Sequence, residues 1–262
     1  MIKVSELYIH PLKSAASISV EKATIDELGL VNDRRWMLVD DNNQFLSQRQ
    51  LPEMCLINAK VKDNALLISV PGKPLLEVSK KQTPNRVVQV WGDQCQAIDC
   101  GDEAAEYLSL FLKTSCRLVM FADNEIRQVD LDYAQPGDKT GFSDGFPLLL
   151  ISQSSLDDLN NRLEKPVSMT RFRPNLVVSG CDAFAEDDWS LIKIGGISMR
   201  VVKPCSRCGI PAVDPVTALR SIEPVKTLRQ YRMRDNKVYF GQNVIADSIG
   251  LLETGMHVEI LE

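Results

Sequence analysis

The first third of the chain contains short apolar stretches that alternate with clusters of turn-forming residues. Each stretch spans four to six residues rich in valine, leucine and isoleucine, and is followed by a cluster such as Asp63-Asn64 or Pro71-Gly72. Short apolar runs bounded by Asn, Asp, Pro and Gly are typical of β-strands. The predicted strands are 4–9, 35–39, 56–61, 65–70 and 87–90.

A helix is predicted to begin at Gly101-Asp102. Ala104, Leu108 and Phe111 recur at helical spacing, and Asp102 is predicted to cap the first turn. Residues 116–121 then return to a strand-like pattern. This helix interrupts an otherwise strand-rich segment.

The second half begins with the longest loop-like region, residues 124–145, which is polar and rich in Asp, Gly and Pro. Loops of this length in compact proteins are often functional. A second helix is predicted over 154–163, with Ser154 and Asp157 in capping-box positions, and a weaker one over 225–231. The Gly195-Gly196 pair predicts a tight hairpin. The remaining predicted strands are 175–178, 191–194, 197–202, 238–245 and 256–261.

These elements predict a mainly β (α+β) protein made of two β-barrel-like parts with a few peripheral helices. The predicted division lies near residue 118, giving parts 1–117 and 118–262. The order of the strands does not follow from the sequence.

Composition limits the kind of ligand. The 262 residues carry a formal net charge of −5 and no basic tail, which argues against nucleic-acid binding and favours a small anionic ligand at a local positive patch. The longest apolar run, 146–151, is too short to span a bilayer, and the N-terminus lacks a signal pattern, so no membrane association and a cytoplasmic location are expected. The seven scattered cysteines do not resemble a disulfide framework.

The segment Cys205-Ser206-Arg207-Cys208 combines two thiols with a guanidinium. A positive charge beside a thiolate lowers its pKa, and arginine is well suited to binding phosphate. Three other interpretations stay open: two core cysteines on a loop, half of a zinc site completed by Cys95 and Cys100, or a thioredoxin-like dithiol.

Several basic residues stand at strand ends beside turn residues, where a rigid scaffold presents ligand-binding groups. Each by itself is typical of a solvated surface charge. The sharper hypothesis is that several converge on one phosphate-bearing ligand next to the cysteines. Because His10 and His257 lie in strand-like runs, we expect them to be structural, which leaves Cys-His catalysis weakly supported. The basic residues are Lys13, Arg34, Arg173, Arg229, Arg232 and Arg234.

Seven segments in order resemble a known family, the molybdenum-cofactor-binding proteins in which a MOSC N-terminal β-barrel region precedes a MOSC domain. The resemblance covers nearly the whole chain and is closest to the amidoxime-reducing components and their bacterial relatives. The segments are Tyr8-Ile9-His10-Pro11-Leu12-Lys13-Ser14, Asp33-Arg34-Arg35-Trp36, Ser155-Leu156-Asp157-Asp158-Leu159-Asn160, Phe172-Arg173-Pro174-Asn175 with Ser179-Gly180-Cys181, Ala185-Glu186-Asp187-Asp188-Trp189, Cys205-Ser206-Arg207-Cys208 with Val213-Asp214-Pro215, and Phe240-Gly241-Gln242-Asn243.

The resemblance implies that Cys208 ligates the metal of a molybdenum–molybdopterin cofactor. Arg207 is expected beside that thiolate, and the first 35 residues are expected to contribute to the same site. Asn243 is also implied to contact the cofactor, because its position lines the site in relatives, often with an aromatic residue. Gly145 and Phe146 stand where relatives often carry small hydroxyl residues. The residues implied to hold the pterin's phosphate and ring are Lys13, Ser14, Arg34, Arg173, Ser206 and Arg207.

The resemblance further implies a molybdenum-dependent oxidoreductase that reduces N-hydroxylated or N-oxygenated small molecules. Neither a fused iron–sulfur domain nor an N-terminal targeting and anchor segment is recognised, so electrons are expected from a separate ferredoxin-, flavoprotein- or cytochrome-type protein. The alternative is a carrier of the molybdenum cofactor or of sulfur without reductase turnover. A third hypothesis is a degenerate barrel that has lost its ligand.

Overall fold

The structure is a computed structural model that describes residues 1–80 and 86–262. Its three α-helices are α1 (Asp102–Leu112), α2 (Gln153–Asn161) and α3 (Val225–Tyr231). The strands in this part of the chain are β1 (Lys3–Ile9), β2 (Ile18–Val20), β3 (Lys22–Asp26), β4 (Gly29–Leu30), β5 (Trp36–Val39), β6 (Asn58–Lys62), β7 (Ala65–Ser69), β8 (Leu76–Ser79), β9 (Arg86–Val90), β10 (Asp93–Asp99), β11 (Arg117–Phe121), β12 (Leu148–Ser152), β13 (Leu176–Ser179), β14 (Leu191–Ile194), β15 (Ile197–Ser206), β16 (Met233–Arg234), β17 (Lys237–Ala246), β18 (Gly250–Glu253) and β19 (Val258–Ile260). The predicted mainly β (α+β) class is confirmed.

The largest sheet has the order β19-β14-β15-β17-β12-β13-β1-β2, with β16 added beside β17. Its ends approach each other, because the backbone N–H of Val4 donates to the carbonyl of Met256 (2.9 Å) and that of Val258 to the carbonyl of Ile2 (3.0 Å). These bonds bring the start of β1 beside the start of β19 and curve the sheet around one apolar core. Leu7, Leu150 and Val244 are fully buried in that core.

A four-stranded sheet of order β5-β11-β10-β9 forms the second β unit. Its edges are linked through residues 43–45, since the N–H of Phe45 donates to the carbonyl of Gln89 (3.2 Å) and Val39 pairs with Phe45. One face of the sheet packs its valines and Phe142 into a small core. The other face packs against α1 and the sheet β6-β7-β8.

The sheets do not separate at residue 118. Strand β11, which contains that residue, pairs with β5 and β10, whereas β1 and β2 belong to the nine-stranded sheet formed mainly by later strands. The chain therefore begins in the nine-stranded sheet, leaves it after β2 and returns to it at β12. The division into 1–117 and 118–262 stays a prediction.

Both predicted helix caps were wrong, although α1 begins at Asp102 as predicted. The N-cap of α1 is Gly101, and the Asp102 carboxylate instead accepts a hydrogen bond from Arg117 (2.8 Å). Helix α2 begins one residue early, capped by Ser152, whose Oγ accepts from the N–H of Ser155 (3.1 Å).

The acidic partner of the α2 cap comes from a distant segment. The carboxylate of Glu186 is completely buried and its Oε1 accepts from the N–H of Ser152 (3.0 Å) and the hydroxyl of Ser155 (2.8 Å). This arrangement resembles a capping box in which the acid lies 34 residues after the capping serine rather than three. Sequence spacing therefore could not identify it.

Three other local predictions are confirmed. The Gly195-Gly196 hairpin joins β14 to β15, with Ile194 paired to Ile197. Helix α3 spans the predicted residues. The segment between β11 and β12 contains no named helix or strand among the described residues, as expected of the long loop.

Candidate functional site

A cleft lies where the ends of several strands meet, enclosing about 750 Å³ of space including its solvent-open mouth. All eight residues that the sequence nominated lie on its wall, although their role in binding a cofactor stays a prediction. They are Lys13, Ser14, Arg34, Arg173, Ser206, Arg207, Cys208 and Asn243.

Two early segments form one side of the cleft because their backbones are hydrogen-bonded together. The N–H of Lys13 donates to the carbonyl of Trp36 (2.8 Å), and the N–H of Arg34 donates to the carbonyl of His10 (2.7 Å). These bonds place residues 13–14, just after β1, beside residue 34, just before β5. These two backbone hydrogen bonds explain why the first 35 residues contribute to the wall of the cleft, as expected.

Left-handed backbone conformations occur at three cleft residues that are not glycine. Their φ angles are 65° at Ser14, 48° at Arg34 and 57° at Arg173. Such residues are uncommon and cost free energy, so the surrounding structure must hold them in place. Clustering of backbone strain in one cleft is typical of a binding site.

Lys13 is buried at the base of the cleft, with 4 % of its surface exposed. Its Nζ donates to the carbonyl of Phe142 (2.7 Å) and to Oδ1 of Asp144 (2.5 Å). Burial lowers the pKa of Lys13 to about 8, even though the Asp144 carboxylate opposes that change. Holding the charged ammonium of Lys13 in the cleft therefore costs free energy.

Arg34 is oriented by a buried carboxylate. Asp33 accepts a hydrogen bond from the Arg34 guanidinium and from the backbone N–H of His10 (2.7 Å). Burial by itself would raise the pKa of Asp33, but the charge of Arg34 and the contacts with His10 hold it well below the usual range. Arg34 then donates to the side-chain oxygen of Asn175 (3.1 Å) and to the carbonyl of Arg173 (3.1 Å), which ties the segment before β13 to the cleft.

His10 is the structural histidine that the sequence predicted. It is completely buried, and its Nδ1 lies 3.2 Å from Oδ1 of Asp33. Burial and the nearby charges of Arg34 and Arg173 lower its pKa to about 3, so the ring is neutral at physiological pH.

Two guanidinium groups in the cleft are only partly hydrogen-bonded. Arg173 donates from Nη1 to the carbonyl of Ala15 (2.5 Å), and Arg207 donates from Nη2 to the carbonyl of Phe172 (2.6 Å). In the part of the chain that the structure describes, Nη2 of Arg173 and Nε of Arg207 are buried without a hydrogen-bond partner. Burial and the neighbouring charge of Arg34 lower the pKa of Arg173 to about 9.

The charges in and beside the cleft do not balance. Lys13, Arg34, Arg49, Arg173 and Arg207 carry positive charge, whereas Asp33 and Asp144 carry the two neighbouring carboxylates. A buried cation is costly unless an anion compensates it. The arrangement therefore suits a ligand with at least two negative charges.

The two cysteines of the motif differ sharply in environment. Cys208 is exposed on the cleft wall just beyond β15, whereas Cys205 lies within β15 and packs against a core that contains Phe172 and Phe240. Nη1 of Arg207 donates to Sγ of Cys205 (3.0 Å), and the expected position of Arg207 beside the Cys208 thiolate stays a prediction. The backbone N–H of Arg207 donates to the carbonyl of Val238 (2.7 Å).

The alternative interpretations of the cysteine pair lose support. Cys95 is buried in the core of the four-stranded sheet, away from the cluster that contains Cys205, so it does not complete a zinc site with that pair. Within residues 1–80 and 86–262, no group of three or more His, Cys, Asp or Glu side chains is arranged to hold a metal. A 3₁₀ turn (Ile210–Ala212) follows Cys208, where a thioredoxin-like motif would open an α-helix.

Three predicted basic residues lie elsewhere. The guanidinium of Arg232 pairs with Asp187 and stacks 4.2 Å from the Phe184 ring, while Arg229 and Arg234 are exposed near α3. Their closeness to the cysteines in sequence does not bring them to the cleft, since none of the three lines it. This part of the convergence hypothesis was wrong.

Sequence reasoning missed three side chains around Asp144. Arg49 stacks over Trp91 at 4.5 Å and reaches Oδ2 of Asp144 at 3.5 Å, and Nε1 of Trp91 donates to Oδ1 of Asp144 (3.2 Å). The buried Arg127 fixes the loop that carries Asp144 by donating to the carbonyls of Gly141 (2.9 Å) and Ser143 (2.5 Å). The signal in the sequence that could have identified this region was the prediction that the long 124–145 loop is functional.

Asn243 reaches the cleft because two strands approach unusually closely. Gly241 in β17 has φ +81°, and a Cβ there would lie 2.8 Å from the backbone oxygen of Leu150 in β12. Glycine therefore permits the pairing of Leu149 with Asn243. The Nδ2 of Asn243 donates to the carbonyl of Lys203 (3.1 Å).

Comparisons with known proteins agree along the whole chain. Residues 1–115 match the MOSC N-terminal beta barrel domain and residues 137–259 match the MOSC domain. The chain is 36% identical to mitochondrial amidoxime reducing component 2 of Bos taurus, covering 96% of this chain and 81% of that protein. It is also 36% identical to mitochondrial amidoxime-reducing component 1 of Homo sapiens, covering 98% and 82%.

A solved structure, the YUAD protein of Bacillus subtilis, aligns over 99% of this chain and 96% of its own, with 13% identity and a TM-score of 0.46. Across the described residues, no helix is both long and apolar enough to cross a membrane.

Proposed function

Since the chain belongs to the family of MOSC proteins that includes the mitochondrial amidoxime-reducing components, we propose that it is a molybdenum-cofactor-dependent oxidoreductase that reduces N-hydroxylated compounds. The observation that carries the proposal is the pairing of an exposed thiol, Cys208, with a cleft whose cations exceed its carboxylates. The reaction breaks the N–O bond of the substrate, consumes two electrons and two protons, and releases the N–H compound and water.

The residues of the cleft fit the proposed cofactor. Molybdopterin carries a phosphate, and the partly unsatisfied guanidinium groups of Arg173 and Arg207 supply donors for such an anion. Molybdenum accepts soft sulfur ligands, and Cys208 presents a free thiol to the same cleft. The proposed cofactor, when bound, supplies the two-electron chemistry.

The side chains of the cleft would bind and orient the cofactor. We assign Cys208 as the metal ligand and the remaining nominated residues as contacts for the phosphate and ring. Asp33 and Asp144 hold the cations Arg34 and Lys13 in position, so that they face the ligand without being rearranged. The ligand contacts are Lys13, Ser14, Arg34, Arg173, Ser206, Arg207 and Asn243.

Electrons are proposed to come from a separate ferredoxin-, flavoprotein- or cytochrome-type protein. The exposed position of Cys208 supports this, because a metal bound there would lie near the surface, where a donor protein can approach.

The test compares two cysteine variants of protein produced with an intact cofactor-biosynthesis pathway. Cys208→Ala should lose bound molybdenum and benzamidoxime reduction with an artificial low-potential donor. Cys205→Ala is the matched control and should keep at least half of both, because its thiol faces the core and Arg207.

Three results would contradict the proposal. They are wild-type protein purified without molybdenum, full activity in Cys208→Ala, or equal loss in both variants. Stable binding of the cofactor with no turnover by any donor would favour the carrier alternative instead.

A further inference from the structure

A second cavity opens beside the cleft, and we call it the vestibule. Outside the part shared with the cleft, its wall is formed by Trp91, Gly92, Asp93, Arg127, Gln128, Asp130, Lys203 and Pro204. It also shares part of the cleft wall, so a molecule in the vestibule can reach toward the cleft. The shared residues are Asp144, Gly145, Phe146, Cys205, Ser206 and Asn243.

Lys203 is the distinctive charged group of the vestibule. Its Nζ lies 3.7 Å from the centre of the Tyr133 ring and 5.7 Å from that of Phe146. Among the residues that the structure describes, the ammonium forms no ion pair with a carboxylate. Aromatic faces orient a cation without neutralising it, so the charge stays available to a ligand.

The carboxylates of the vestibule are otherwise engaged. Asp93 accepts from Nε of Arg127 (2.7 Å), and Asp144 is paired with Lys13 and Arg49. Asp130 is exposed, and its Oδ1 accepts a hydrogen bond from the backbone N–H of Asp132 (3.1 Å). No carboxylate in the described wall therefore competes for Lys203 by direct contact.

Two aromatic side chains give the vestibule flat apolar surface. Trp91 is 47% exposed, yet its ring is held 5.0 Å from that of Phe45 and is covered on one side by Arg49. The ring of Phe146 stands at 75° to that of Tyr133 with centres 6.1 Å apart. Immobilised aromatic rings of this kind favour stacking with a planar ligand.

We propose that the vestibule is a substrate subsite for aromatic N-hydroxylated compounds that also bear a carboxylate, with Lys203 binding the carboxylate and Trp91 and Phe146 contacting the ring. The N-hydroxylated group of this ligand class rests on the proposed function. The aromatic ring and the carboxylate are inferred from the side chains of the vestibule. Its position places the reducible group of the bound compound toward the wall shared with the cleft.

The experiment measures binding by calorimetry in the absence of any reductant, so that no turnover occurs. The probes are 4-carboxybenzamidoxime, neutral benzamidoxime and cationic 4-(aminomethyl)benzamidoxime. Wild-type protein should bind the carboxylate probe about tenfold more tightly than the neutral one, equivalent to about 1.4 kcal/mol. This preference should shrink as salt is raised, because the pair is partly exposed.

Lys203→Met should bring the two affinities to within about twofold, and Lys203→Arg should retain most of the preference. Lys193→Met is the matched control, since Lys193 is a half-buried lysine of β14 in the same sheet but outside the vestibule wall. Trp91→Ala should weaken both probes alike.

Equal affinity of the wild type for the carboxylate and neutral probes would overturn the inference. So would an unchanged preference in Lys203→Met, or tightest binding of the cationic probe, which would assign the subsite to Asp130. Steady-state reduction with an electron donor is then measured separately. A wild type that binds with the expected preference but never reduces the probes refutes the proposed reaction and leaves the subsite standing.

Discussion

Replacing Lys13 by methionine should stabilise the cofactor-free protein at neutral pH. Burial lowers the pKa of this lysine from 10.5 to about 8, a difference that corresponds to about 3 kcal/mol against the folded state. The substitution also removes the donor to the carbonyl of Phe142 and the partner of Asp144, at about 1–2 kcal/mol. The net stabilisation is therefore roughly 1–2 kcal/mol, which corresponds to a rise in Tm of about 3–6 °C for a chain of this size.

The pH dependence gives the prediction a second, independent readout. Below the folded-state pKa both the folded and unfolded states carry the proton, so the full cost is present at pH 7. As the pH rises from about 8 toward 10.5, the folded wild type releases its proton first and the cost is relieved. The Tm advantage of Lys13→Met should therefore shrink over this interval.

The assay is thermal unfolding of cofactor-free protein between pH 6.5 and 10, with and without inorganic phosphate. Phosphate should raise the Tm of the wild type more than that of the variant, because an anion bound in the cleft offsets the buried charge. Lys22→Met serves as a control, since this surface lysine pairs with Glu253 far from the cleft and should leave the Tm nearly unchanged. A variant that is less stable than the wild type at pH 7, with a difference that does not depend on pH, would refute the reasoning.

Two further predictions concern buried carboxylates. Asp33→Asn should lower the free energy of unfolding at pH 7 by about 3 kcal/mol, because it leaves the Arg34 guanidinium without its buried partner. Since the pKa of Asp33 is depressed in the folded state, its contribution is present above pH ~4 and lost as the pH falls below that value, so urea unfolding of the variant should show a flatter acid limb than the wild type. Glu186→Ala should cost about 2 kcal/mol by removing the acceptor for the α2 cap, whereas Glu77→Ala at an exposed position should change stability little; equal effects would contradict the capping role.

Local patterns predicted the elements well where neighbouring residues decide them. The start of α1, the whole of α3 and the Gly195-Gly196 hairpin follow from spacing and turn chemistry within a few residues. The predicted helix caps were wrong because residues distant in the sequence decide them. The acid that completes the cap of α2, Glu186, is brought there by the packing of a later segment.

The candidate site shows the same contrast. The family resemblance nominated eight cleft residues from their order along the chain, and all eight lie on one wall. Nothing in the residue pattern could show that Arg207 bonds to Cys205, that Arg232 pairs away from the cleft with Asp187, or that Asp144 is surrounded by Lys13, Arg49 and Trp91.

The sequence by itself determined the mainly β class, the family and the residue types available for chemistry, because strand periodicity, turn residues and ordered motifs are local properties of the chain. Only the tertiary structure decided which thiol is exposed, which buried guanidinium nitrogens have no hydrogen-bond partner among the described residues, and that Lys203 lies against two aromatic rings in a vestibule beside the cleft. Those properties depend on desolvation and on partners that are distant in the chain, as in the contact between Arg173 and Ala15, 158 residues apart. Charge and burial at the Cys205-Ser206-Arg207-Cys208 segment are therefore set by the fold that surrounds it.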